Sequence, residues 1–190
     1  MKLTFSFTTL LALVLITTFS YGQISNGIWL IGGNINFSKT KLSNDLGGYT
    51  QTDINALGNI GYFFIDKFTA GIRPNIFFSK TKYNNSSGST RSEIGPFLRY
   101  YFLPNEQRVN FFLDASYTYG WTSVKNNGVT TNKASSNNFS IMGGPALFLN
   151  SSVAIELFIG YSMAKFNDGV DSKRNIITSG IGLQFYLEKE

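Results

Sequence analysis

Residues 109–121, VNFFLDASYTYGW, alternate strictly between two kinds of side chain. The odd positions are Val109, Phe111, Leu113, Ala115, Tyr117, Tyr119 and Trp121; the even ones are Asn110, Phe112, Asp114, Ser116, Thr118 and Gly120. Successive side chains of a strand point to opposite faces, so this period of two predicts a strand with one apolar and one mostly polar face. The pattern returns over 28–38, 53–64, 68–79, 93–102, 139–149, 153–163 and 177–187, which makes eight segments. Each is longer than the five or six residues typical of a soluble strand. An even number of strands of about ten residues suits a barrel that crosses a membrane.

The connections support that reading. Three are short, at 65–67, 103–108 and 150–152, whereas 39–52, 80–92, 122–138 and 164–176 are long and rich in Asn, Ser, Thr, Gly and Lys. Tight turns at one end and long polar loops at the other mark an outer-membrane barrel, and a secreted sandwich of hairpins has no reason to alternate loop length. The predicted fold is therefore all-β: an eight-stranded antiparallel up-and-down transmembrane β-barrel.

Volume decides which face points inward. The interior of an eight-stranded barrel is only just wide enough for side chains to fill. The apolar faces together carry dozens of mostly large groups, both tryptophans among them, and cannot fit there. The opposite faces carry Gly32, Gly61, Gly71, Gly95, Gly120, Gly144, Gly160, Gly180 and Gly182, so small and polar residues are expected inside. The outward aromatics sort by depth, with Trp29, Tyr62 and Tyr100 toward the short turns and Tyr119, Trp121 and Tyr161 toward the loops. Two such belts with aliphatics between them match the two interfaces of a bilayer. Pro74, Pro96 and Pro145 fall within strands, where a missing N–H predicts bulges or local register breaks.

Residues 1–22 read as a signal peptide: Lys2, then the apolar run Leu3–Phe19, then Ser20 and Gly22 before cleavage at Gln23. The barrel domain is then 23–190 of an exported chain. The motifs GYFFIDKFTAGI, IRPNIFF, EIGPFLRYYF, IMGGPALFL and GIGLQFYLEKE resemble the small outer-membrane β-barrel domain family of Gram-negative bacteria, with the OmpA and OmpX architecture. The resemblance spans 23–190. It implies an outer-membrane location and insertion by the outer-membrane assembly machinery, which reads the last strand, here with Leu183 and Phe185. The tail Glu188-Lys189-Glu190 departs from an aromatic end.

Candidate sites follow from the charges. The inward face holds Asp53, Arg73, Glu93, Arg99, Asp114 and Glu156. Buried charges need partners, so Arg73, Glu93, Arg99, Asp114 and Glu156 are expected to form an ion-pair network that plugs the lumen. Arg99 and Asp114, on neighbouring strands, form the foremost pair. A proton path or a carboxylate site built on Glu93, Asp114 and Glu156 is the sharper alternative. The loop end gathers a basic collar of Lys39, Lys41, Lys80, Lys82, Arg91, Lys125, Lys133, Lys165, Lys173 and Arg174, against Asp45, Asp168 and Asp171. Such a collar fits the phosphates of outer-leaflet lipopolysaccharide. It faces away from the cell interior, so nucleic acid is not an expected partner.

The chain contains no histidine and no cysteine, which removes the commonest general base, the commonest metal ligand and any disulfide. No catalytic residue, metal site or cofactor is expected. The glycines Gly180 and Gly182 lie in a strand with no helix after them, so they hold no phosphate. The expected role is structural or a surface interaction through the loops. A narrow, porin-like channel for small solutes or hydrophobic molecules is the alternative, with a lipid A-modifying enzyme behind it.

Overall fold

The computed structural model describes residues 24–44, 47–82, 86–126, 129–167 and 171–188. The signal-peptide segment and the acids Asp45 and Asp168 lie outside the described residues. Eight strands follow in order: β1 (Trp29–Asn44), β2 (Gly47–Ile65), β3 (Phe68–Lys82), β4 (Ser86–Tyr101), β5 (Val109–Asn126), β6 (Val129–Asn150), β7 (Val153–Asn167) and β8 (Asp171–Leu187). Each pairs antiparallel with the next, and β1 pairs with β8 to close the barrel. In β5 the alternation becomes burial directly. Val109, Phe111, Leu113, Tyr117, Tyr119 and Trp121 are exposed, while Asn110, Phe112, Asp114, Ser116, Thr118 and Gly120 are buried. Along its apolar band the barrel is thus apolar outside and polar or charged inside, the reverse of a water-soluble protein.

Three expectations are corrected. The long connections are mostly strand: β3 runs through Lys82 and β6 begins at Val129. Beyond the apolar band the outward residues change to Lys, Thr and Ser, but the backbone keeps pairing as hairpin extensions. The prolines produce no register shift. Each opens a two-pair gap in one ladder, between Leu57↔Asn75 and Ile60↔Ile72, between Ile94↔Tyr119 and Phe97↔Ser116, and between Gly143↔Ile159 and Ala146↔Glu156. The register resumes unchanged. The shifts fall instead at Phe63/Ile65, Val124/Lys125 and Phe148/Asn150.

The third correction concerns the interior, which is not uniformly small and polar. Its turn end is filled by Phe63, Phe97, Tyr101, Phe112, Phe148 and Tyr186, all buried, together with Ile24 and Ile28 of the segment before β1. Phe148 and Tyr186 lie 5.1 Å apart, and Phe63 is 6.0 Å from Tyr101 and 6.2 Å from Tyr186. Glycines make the room: a Cβ on Gly61 would stand 2.9 Å from Phe97 Cζ. The segment before β1 is tied across this end, with Lys67 N donating to the Ile24 carbonyl at 2.7 Å and Asn26 N to Asp66 Oδ1 at 2.8 Å.

Candidate functional site

Above the rings lies a layer of buried charge. Arg73 on β3 reaches Asp114 on β5 with both terminal nitrogens, Nη1 to Oδ1 at 2.6 Å and Nη2 to Oδ2 at 2.7 Å. Its Nε donates to Asn59 Oδ1 on β2 at 2.9 Å. Arg99 on β4, which faces Asp114 in the β4–β5 register, donates from Nε to Asp114 Oδ2 at 3.0 Å. Its Nη1 donates to Glu156 on β7, to Oε1 at 2.8 Å and Oε2 at 3.1 Å. Gln184 Nε2 on β8 and the Tyr101 hydroxyl complete the Glu156 carboxylate at 3.0 and 3.1 Å. One connected chain of donors and acceptors therefore crosses the lumen from β2 to β8.

The layer is electrically balanced and buried. Two guanidiniums face two carboxylates, and Arg73, Arg99, Asp114 and Glu156 are each at most 2% exposed. Rings cover the cations: the guanidinium carbon of Arg99 lies 4.5 Å from the Phe112 centroid and that of Arg73 4.8 Å from Phe97. Bidentate, charge-assisted bonds of this kind are strong, and they offset the cost of taking ions out of water. Tyr101 and Tyr186 share a 2.8 Å hydrogen bond that ties the layer to the aromatic plug beneath. Each carboxylate is fully engaged by donors, a poor arrangement for general acid or base work.

Glu93 stands apart, nearer the loop end. It pairs with Arg91 at 3.0 Å and accepts from Asn75 Nδ2 at 3.1 Å. Arg91 is thereby corrected from the collar to the interior, since it shares the inward parity of Glu93, Phe97 and Arg99. Arg174 has the parity of Gln184 and borders the same vestibule, with its guanidinium carbon 5.2 Å from the Phe166 centroid, yet it stays exposed like the rest of the collar. Asp53 is half-buried and accepts from Gln51 at 3.0 and 3.2 Å. Asn59, Ser116, Tyr101, Gln184 and Tyr186 also hold the layer, and sequence reasoning passed over them. Their inward parity was the available signal.

The lysines behave differently. Lys39, Lys41, Lys80, Lys82, Lys125, Lys133, Lys165 and Lys173 are all exposed. Lys39 and Lys80 flank Thr52 in one rank across β1, β2 and β3, with Lys41 and Lys82 flanking Thr50 in the next. Strands lie ~4.8 Å apart, which sets the backbone positions of the two lysines in each rank about 10 Å from one another. At the aromatic belts, Trp29 packs on Tyr62 at 5.2 Å, Tyr100 on Phe102 at 5.2 Å and Tyr119 on Trp121 at 6.2 Å. Tyr161 is 43% exposed on the outer face of β7.

This is the fold of the eight-stranded outer-membrane β-barrels. The crystal structure of Neisserial surface protein A is similar over 84% of this chain and 97% of its own, at 16% identity and a TM-score of 0.53. The N-terminal barrel domain of Pseudomonas aeruginosa OprF covers 85% of this chain and 98% of its own, at 12% identity and a TM-score of 0.49. No protein-family profile matches the sequence, and no curated protein matches it.

Proposed function

We propose that the chain is exported through its leader, inserted by the outer-membrane assembly machinery and held in the outer membrane of a Gram-negative bacterium. There it acts as a closed, non-catalytic barrel, and its role in membrane integrity or surface contact is carried by its outward surface and loop end. The observation behind this reading is the lumen filling. A balanced layer from Asn59 to Gln184 lies over a buried aromatic plug, and the segment Ile24–Ile28 is tied beneath. Water and ions have to break several charge-assisted bonds to pass. The expected result in planar lipid bilayers is no stable conductance above background, and reproducible unitary steps would overturn the closed reading.

The exposed lysine ranks support a second element, contact with lipopolysaccharide phosphates. Multivalent phosphates can bridge cations about 10 Å apart, and such contacts are charge-assisted. Reversing Lys39, Lys80 and Lys82 to Glu is expected to cut copurifying lipopolysaccharide several-fold in barrels extracted in mild detergent. Unchanged lipid content would rule the contact out.

A further inference from the structure

The barrel seam between β1 and β8 differs from the other seven. β1 pairs with β8 only from Trp29↔Leu187 to Gly33↔Leu183, whereas the other seams are paired along most of their strands. Beyond Gly33 the two strands part. Continuing the register would set Ile35 against Ile181 and Asn36 against Gly180, yet these residues make no ladder. Ile35 is 78% exposed and Ile177 74%. Gly33 is the point of departure: its φ of 148° favours glycine, and a Cβ there would overlap the Leu57 carbonyl. Along β1, Gly33 lies midway between Trp29 of the turn-end belt and Phe37 toward the loops. The gap therefore opens on the hydrocarbon of the loop-side leaflet, where unpaired backbone is costly unless something covers it.

Two cavities meet at this gap. Outside, an apolar groove of about 760 Å³ is lined by Ile35, Pro74, Ile76, Ile155, Ile181 and Leu183. Inside, a vestibule of about 560 Å³ carries Asn36, Asn75, Asn138, Arg91 and Arg174. Asn34 and Leu57, which pair across β1 and β2, line both, and along β8 the two linings adjoin between Ser179 and Ile181. The vestibule is equipped for a polar head. Among the described residues Arg174 has no carboxylate partner, and Asn75 Oδ1 and Asn138 Oδ1 are buried with no hydrogen-bond donor. Arg91 and Glu93 cancel, which leaves Arg174, itself exposed, as the net positive charge of the lining.

We propose that the β1–β8 seam is a lateral portal for a single-chain amphiphile with an anionic head. Its acyl chain lies in the Ile35–Ile181 groove, and its carboxylate or phosphate sits against Arg174 and the asparagines of the vestibule. The site lies on the loop side of the charged layer, so a lateral route needs no conduction through the barrel. Charge complementarity selects the occupant: a neutral lipid would leave the cation without a partner, and a second copy of the chain would bring an equal cation.

The test is photolabelling of the full barrel in phosphatidylcholine vesicles with a diazirine-bearing sixteen-carbon fatty acid, with the matching fatty alcohol as the neutral probe. Unheated gel mobility establishes that each variant is folded. Label from the acid is expected to concentrate on residues 34–37 and 177–183 rather than on Leu113 or Leu98 of the opposite wall. Arg174→Gln is expected to lower seam labelling about tenfold, the worth of one charge-assisted bond. Ile181→Trp, which fills the groove, is expected to lower it comparably. Label spread evenly around the barrel would overturn the proposal, as would seam label that is the same for acid and alcohol and unmoved by Arg174→Gln. Unlabelled seams together with dimers cross-linked through Ile35→Cys would overturn it in favour of a second copy.

Discussion

Asp114→Ala is expected to remove about 3–5 kcal/mol of stability, the usual consequence of stripping one partner from a buried ion pair. Among the described residues Asp114 is the one carboxylate that both Arg73 and Arg99 touch, through 2.6, 2.7 and 3.0 Å bonds. Its loss leaves the buried Arg73 guanidinium with only the Asn59 and Ser116 hydrogen bonds. A protein stable by about 5–15 kcal/mol loses a large share of that margin. The measurement is the urea midpoint of the refolded barrel in micelles, read from the ratio of compact to unfolded gel bands. Replacing the whole layer separates the effect of truncation from the worth of the pairs. Arg73→Met, Arg99→Met, Asp114→Leu and Glu156→Gln together are expected to recover most of the lost stability, because well-packed apolar groups often match a buried ion network. If Asp114→Ala unfolds at the wild-type midpoint, the layer is not what holds the lumen.

Gly95→Val is expected to be as damaging, for a reason unconnected with charge. Pro96 has no N–H to offer, and the β4–β5 ladder skips from Ile94↔Tyr119 to Phe97↔Ser116. The Tyr117 carbonyl closes over the Gly95 Cα instead. Any Cβ at that position would overlap it and stand 2.7 Å from Thr118 Cα. Both obstacles are backbone, so no rotamer change relieves them. Gly144, before Pro145, repeats the arrangement against the Leu157 carbonyl. Gly180→Ala is the informative contrast: its Cβ would meet the Phe158 ring at 2.8 Å, and a ring can move. Gly88→Ala meets nothing closer than 3.7 Å and is expected to be silent. The expected order of folded yield is Gly88→Ala, then Gly180→Ala, then Gly95→Val, with the last largely unfolded. Equal yields would show that the close approach does not matter.

These two sites mark how far the sequence could be read. The faces of β5 were legible because lipid and lumen impose opposite demands on alternate residues, and the register setting Arg99 opposite Asp114 followed from the short turn between their strands. The reach of Arg73 across to the same carboxylate was not legible, since parity says which way a side chain points but not how far across the lumen it extends. The inward rings were visible as residues, yet their packing depends on glycines from other strands, such as Gly61 beneath Phe97. Strand length was under-read because the apolar signal stops where lipid stops, although pairing continues through Lys80 and Lys82. Arg91 was misplaced for the same cause: with 80–92 read as loop, its parity with Glu93 carried no weight. The parting of β1 from β8 left no mark in the alternation, which continues through Ile35 and Phe37 on one side and Ile177 and Ile181 on the other.

On this reading the odd face of β5 meets lipid and the even face meets a filled lumen. The chain has no cysteine, so single-cysteine variants can be placed at each position from 109 to 121 and spin-labelled without background. The measurement is the accessibility of each label to oxygen, which partitions into lipid, in the barrel reconstituted in vesicles. Accessibility is expected to vary with a period of two, maximal at Leu113, Ala115 and Tyr117 and minimal at Phe112, Ser116 and Thr118. Maxima on the even positions, or no periodicity at all, would contradict it.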